Sequence, residues 1–208
     1  MGQKIKVTAK MRSPFIRVGY MTLDGLLAAI RFEETGAIEV AHADLPLANT
    51  DGLWHASGAI FEPMDKARVV FIAGFRPSHS IDPDLIKKNT QGQLHKKFDT
   101  SLTNVMNTYP MVTAPVITWY AEGDGERIRQ MLEPVQFIGK RRSSGFGEVK
   151  QWVVEPDDLD GLVGPFGEPL RPVPVDMFKG DKSGPVVDAA RRPAYWNVEN
   201  RAACFAPQ

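Results

Sequence analysis

The sequence predicts an α+β fold, a ferredoxin-like β-α-β-β-α-β domain, from three observations. Lys4 to Met11 alternates polar and apolar residues, the period of a half-buried strand. Leu23, Leu26, Leu27 and Ile30 then fall at i, i+3, i+4 and i+7, one face of a helix. The same strand-then-helix order returns between Pro115 and Val154. Two such units with extra strands between them make the predicted circuit.

Taken in order, the first strand is stopped or bent by Ser13-Pro14, and Thr22 stands where a helix N-cap is wanted. Ala43 to Asn49 reads as a loop. Trp54 to Phe61 and Ala67 to Ile72 read as two strands around Pro63-Met64-Asp65. From Arg76 to Thr113 the periodicity is lost, and Pro77, Pro83, Gly92 and Pro110 are the clear punctuation. An aperiodic stretch that long inside a compact domain predicts a functional arm. Pro115 to Tyr120 is a strand. Glu126 to Leu132 is a short helix with Asp124 near its start and Ile128, Met131 and Leu132 on one face. Val149 to Val154 closes the second unit. After Asp157 the prolines Pro165, Pro169, Pro172, Pro174 and Pro185 predict an extended C-terminal tail, pinned late by Tyr195-Trp196. The domain boundaries that follow are 1–164, with the arm inserted at about 76–113, and 165–208.

At 208 residues and 43% hydrophobic content the chain is long enough to bury a core. No apolar run reaches the roughly 18 residues of a membrane span, and the N-terminus lacks the apolar centre of a signal peptide. A cytoplasmic protein with no membrane partner is expected. The single cysteine, Cys204, excludes a disulfide framework or a multi-cysteine zinc site. Lys and Arg total 25, balanced by 25 acids, so the chain is no general polycation. The charges are segregated, however. Lys87, Lys88, Lys96 and Lys97 lie in a stretch without acids, beside His95, and three more cations gather at 140–142. Local basic patches on a neutral protein suit a specific polyanion-binding face.

The stretch Gly139-Lys140-Arg141-Arg142-Ser143-Ser144-Gly145-Phe146-Gly147 concentrates the signals for anion binding. Glycine permits positive φ and close approach of backbone N–H groups to a ligand. Successive N–H groups in such a turn cradle an anion, and Lys or Arg beside them add charge. Phosphate, or a row of phosphates, is the ligand that fits. A P-loop would need Ser or Thr after Gly139-Lys140, where Arg141 stands. A dinucleotide fingerprint would open a helix, whereas this loop opens a strand. Ser144 to Val149 partly echoes the Gly-aromatic-Gly core of the RRM signature. Glu148 and Gln151 nevertheless replace its stacking aromatics, so backbone capture by the loop is the expected mode.

Catalytic chemistry is poorly supplied. The histidines are His42, His55, His79 and His95. A metal-independent ribonuclease would need one of them as general base, with His95 or His55 the candidates. No zinc ligand set, calcium loop or serine elbow is present in the sequence, and no cofactor or metal is expected.

Several motifs together resemble a known family. The N-terminal strand, the Leu-Asp-Gly-Leu-Leu-Ala helix (Leu23 to Ala28) and the late Gly-Lys-Arg-Arg-x-x-Gly-Phe-Gly loop resemble the CRISPR RAMP superfamily. Thr118-Trp119-Tyr120-Ala121-x-Gly123-Asp124, Arg171-Pro172-Val173-Pro174-Val175 and Pro193-Ala194-Tyr195-Trp196 look most like the Cas-five-like subunit of type IV systems. The resemblance implies a non-catalytic RNA-binding subunit of a surveillance complex. Such a subunit grips the repeat-derived 5′ handle of the guide RNA and contacts the backbone and large subunits. It also implies a thumb at 76–113, where Lys87, Lys88, His95, Lys96 and Lys97 would meet RNA. Some members help recognise target DNA duplex, an activity assigned to no residue here. The alternatives are the repeat-RNA endoribonuclease and a scaffold without RNA contacts.

Overall fold

The computed structural model describes residues 2–17, 19–73 and 105–207. The chain forms two compact units, Met1–Asp65 with Val112–Gln208, and Lys66–Met111. The first half runs β1 (Gln3–Met11), β2 (Phe15–Ile16), α1 (Leu23–Thr35), α2 (Ile38–Ala43), β3 (Asn49–Thr50) and β4 (Leu53–Trp54). The middle holds β5 (Asp65–Ala73), β6 (Val105–Thr113), β7 (Val116–Gly123) and α3 (Gly125–Leu132). The remainder holds β8 (Val149–Pro156), β9 (Val173–Pro174), β10 (Val186–Ala190) and β11 (Arg201–Phe205). The architecture is α+β with small antiparallel sheets.

The organising sheet of the larger unit has the order β7-β1-β8. β1 is central and antiparallel to both neighbours, with Val7 opposite Trp119 on one side and Val154 on the other. The predicted alternation is realised: Ile5, Val7 and Ala9 are buried, and so are Ile117, Trp119 and Ala121 of β7. Leu23, Leu27 and Ala28 of α1 and Ile128 and Leu132 of α3 join that core, with Leu26, Ile30 and Met131 packed at its margin. Each fully buried Leu or Ile stabilises the fold by about 1.5–3 kcal/mol relative to exposure. Two of the four indoles have their N–H satisfied at this core: Trp119 Nε1 donates to Met21 O at 2.7 Å and Trp152 Nε1 to Val135 O at 2.8 Å.

Helix ends follow local chemistry. α3 starts at Asp124, whose carboxylate accepts the Arg127 N–H at 3.0 Å. α1 ends at Gly36, whose φ of 68° makes the left-handed turn that closes a helix. Thr22 occupies the N-cap position of α1 without capping it, because its hydroxyl donates to Tyr195 Oη instead.

The expected strand from Trp54 to Phe61 is corrected to a broken edge along β7. Leu47 faces Gly123, Ala56 faces Ala121 and Ile60 faces Thr118, as separate antiparallel bridges. The hairpin of β3 and β4 interrupts the line. Ser57 breaks it again: its side-chain oxygen, rather than a carbonyl, accepts the Tyr120 N–H at 2.9 Å. Its own carbonyl turns to accept Leu23 N at 3.1 Å. A side chain that substitutes for the backbone acceptor ends regular pairing.

The smaller unit contains most of β5 and β6, which are neighbours in one sheet. In it Phe71 and Tyr109 make an edge-to-face contact, with ring centroids 5.9 Å apart. The strand at 105–113 corrects the expectation of aperiodic structure to residue 113, whereas the rest of the predicted arm lies outside the described residues. The region read as a Pro-rich tail carries a sheet of order β10-β11-β9. Beneath it Leu53, Val173, Phe178 and Phe205 form a second apolar cluster.

Candidate nucleic-acid interface

The loop from 139 to 147 is a tied excursion between two bridges. Ile16 pairs with Lys140 at its start and Phe137 with Glu148 at its base. Lys140 N donates to Ile16 O at 3.2 Å, and Gly147 N donates to Pro14 O at 2.8 Å. Ser13 locks the far end, donating its hydroxyl to Gly145 O and accepting Glu148 N, both at 2.8 Å. Arg12 reinforces the same edge through an exposed ion pair with Glu148 at 2.8 Å, a contact worth at most about 1 kcal/mol. The loop is thus held along its length by the segment 12–16.

Its backbone explains the glycines. Gly139 has φ +80°, and a Cβ there would lie 2.7 Å from Ile16 O. Gly147 has φ +78°, and a Cβ would run into the Ile138 carbonyl. No other residue fits either position. Arg141 also takes the left-handed conformation, φ 59° and ψ 35°, and leads into a 3-10 turn at Arg142–Ser144. Within that turn Ser144 N bonds Arg141 O and Gly145 N bonds Arg142 O.

These bonds revise the expected mode of anion capture. The N–H groups of Lys140, Ser144, Gly145 and Gly147 are engaged within the protein, so at those positions no N–H cradle faces outward. The loop also presents side chains. Lys140, Arg142, Ser143 and Ser144 are exposed, with Arg141 half-buried between them. Arg142 reaches Glu33 at 3.5 Å, with both side chains more than half exposed. Phe146 is half-buried rather than displayed. Lys87, Lys88, His95, Lys96 and Lys97 lie outside the described residues.

Next to the loop, a groove of about 720 Å³ opens between the start of α1 and β10. Ile138 and Gly139 line it from the loop side, and Tyr20, Thr22, Tyr195 and Trp196 from the others. One wall rests on a buried polar hub that sequence reasoning missed. Arg171 and Asp24 are fully buried and lie 3.1 Å apart. Arg171 also donates to the carbonyls of Trp54, Ala56 and Arg191, at 2.8, 3.0 and 2.7 Å. The Tyr195 hydroxyl donates to Asp24 and accepts from both Thr22 and Arg171. Burial and the Asp24 carboxylate hold the Tyr195 phenol well above its usual range, although Arg171 pulls the other way. These residues belong to three separated motifs, around Leu23–Ala28, Arg171–Val175 and Pro193–Trp196. Their spacing carries no sign that they meet.

The catalytic candidates are held differently. His55 Nε2 lies 2.9 Å from Thr50 Oγ1, and Nδ1 lies 3.4 Å from Glu122 Oε2. The ring therefore bonds to the β3–β4 hairpin through Nε2, while the buried Nδ1 has no hydrogen-bond partner among the described residues. Burial, the largest cause, lowers the pKa of His42. His79 and His95 lie outside the described residues. Among the described residues no group of three or more His, Cys, Asp or Glu is placed to hold a metal, and no helix is long and apolar enough to cross a membrane.

Compared with known proteins, the chain matches the sequence model of the family described as CRISPR type IV associated protein Csf3 over residues 3–207. No curated protein sequence matches it.

Proposed function

The chain belongs to the Csf3 family of CRISPR type IV associated proteins, and from that premise we propose that it is a non-catalytic subunit that holds guide RNA. The observation that carries the reading is the tied loop. Lys140, Arg141 and Arg142 follow one another on a backbone fixed by Gly139, Gly147 and Ser13. Fixed cations beside two exposed hydroxyls suit a phosphate backbone better than an isolated anion. The RNA is the repeat-derived 5′ handle, and the larger partners are the backbone and large subunits of the effector complex. The 76–113 arm acts as a thumb on the same RNA.

A ferredoxin-like reading of the larger unit is supported by central β1 between β7 and β8, and by α1 and α3 following β1 and β7. The broken edge at 47–60 takes the place of the remaining strand. A non-catalytic role is favoured by His55, whose Nε2 is engaged by Thr50 Oγ1 at 2.9 Å. The test is direct. Labelled repeat RNA is incubated with the protein and a chelator, and binding and denaturing gels are run side by side. A salt-sensitive shift with intact RNA is the expected result; site-specific cleavage would overturn it.

A further inference from the structure

We propose that the groove beside the loop receives one unstacked base of the same RNA strand whose phosphates lie on Lys140 to Arg142. The inference rests on the RNA-holding reading and adds a nucleotide-sized site to it. Three features carry it. Gly139 both lines the groove and opens the basic loop, so the sugar–phosphate chain and the groove are adjacent along a single backbone turn. Trp196, which lines the groove, is 77% exposed. An exposed aromatic beside a cationic track is a stacking platform for nucleobases. The third feature is polarity at the rim, where Arg201 bonds Asp188 through Nε at 2.8 Å and Nη2 at 2.7 Å, which leaves Arg201 Nη1 as donor and Asp188 Oδ1 as acceptor. That pair matches the mixed donor and acceptor edge of a base, which a purely apolar partner side chain would leave unmet.

The groove is also preformed. Thr22 and Tyr195, which line it, are fixed by the buried Arg171–Asp24 pair, so a base would enter without reordering that wall. At about 720 Å³ it exceeds the volume of one base. A strand that turns one base inward and leaves its phosphates outside fits this layout.

The test uses the full chain and a set of single-stranded repeat RNAs, each with one abasic position. Wild type, Trp196→Ala and the Lys140→Ala/Arg141→Ala/Arg142→Ala variant are compared. Trp196→Ala removes an exposed side chain, so folding is preserved. Wild type should lose about tenfold in affinity at one abasic position, the weight of one base–aromatic stack. Trp196→Ala should bind the intact RNA at that lowered level and lose nothing further at the same position. The loop variant should weaken binding to every RNA alike. Equal losses for wild type and Trp196→Ala at every abasic position would overturn the base site while leaving the loop reading intact. Failure of wild type to bind any of these RNAs would overturn both.

Discussion

The Tyr195 hydroxyl lies 2.8 Å from each carboxylate oxygen of Asp24, across 171 residues of chain. The contact joins the first turn of α1 to the segment leading into β11, and Arg171 completes it from a third region. A buried ion pair adds little net stability by itself, but removing one partner strands the other charge at a cost of about 3–5 kcal/mol. Asp24→Asn should therefore remove a large part of a total that is about 5–15 kcal/mol for a domain. Tyr195→Phe should cost less, about 1–3 kcal/mol, because it strips a hydroxyl from Asp24, Thr22 and Arg171 while leaving the charges paired. Urea unfolding of both variants checks the order. A milder effect for Asp24→Asn would mean that the pair does not hold these segments together.

Ser13 makes a separate prediction about the loop. Its hydroxyl serves Gly145 O and Glu148 N at once. Ser13→Ala should cost about 1 kcal/mol and speed hydrogen exchange at Glu148, with little change in the central sheet. Unchanged exchange at Glu148 would show that the loop is held without it.

Two of the three loop glycines at positive φ, Gly145 and Gly147, should tolerate substitution unequally. Gly145 has open space around the missing Cβ, whereas Gly147 faces the Ile138 carbonyl. Gly145→Ala should cost only about 1 kcal/mol, from backbone strain. Gly147→Ala has to displace the carbonyl and should be the more damaging by thermal unfolding.

Cys204 is fully buried, and burial pushes its thiol up to about 11. A raised folded-state value favours the native protein below the ordinary thiol range near 9 and withdraws that favour as pH rises from about 9 to about 11. Native protein at pH 8 should resist thiol reagents, and denatured protein should react promptly. Rapid labelling of the native state would contradict the packing of β11.

Much of the scaffold was legible because its periods are clean. β1, α1, α3 and β8 follow from alternation or helical spacing, and Asp124 marks the start of α3. The strand at 105–113 escaped because Asn107 and Pro110 are poor strand formers. β10 and β11 were hidden behind proline and glycine composition. Arg171 was unreadable as core for a different reason: a lone arginine is ordinarily placed at the surface, and its partners stand 147 and 24 positions away. The loop's residue types were legible, but the segment 12–16 that accepts the Lys140 and Gly147 N–H groups was not, since that pairing is long-range.

The central claim is that Lys140, Arg141 and Arg142 hold RNA phosphates. The most direct measurement is affinity for single-stranded repeat RNA across a salt series, for wild type and the Lys140→Ala/Arg141→Ala/Arg142→Ala variant. Three lost phosphate contacts should weaken binding and flatten the log–log salt slope by about 2. The same affinity and the same slope in both proteins would contradict the account.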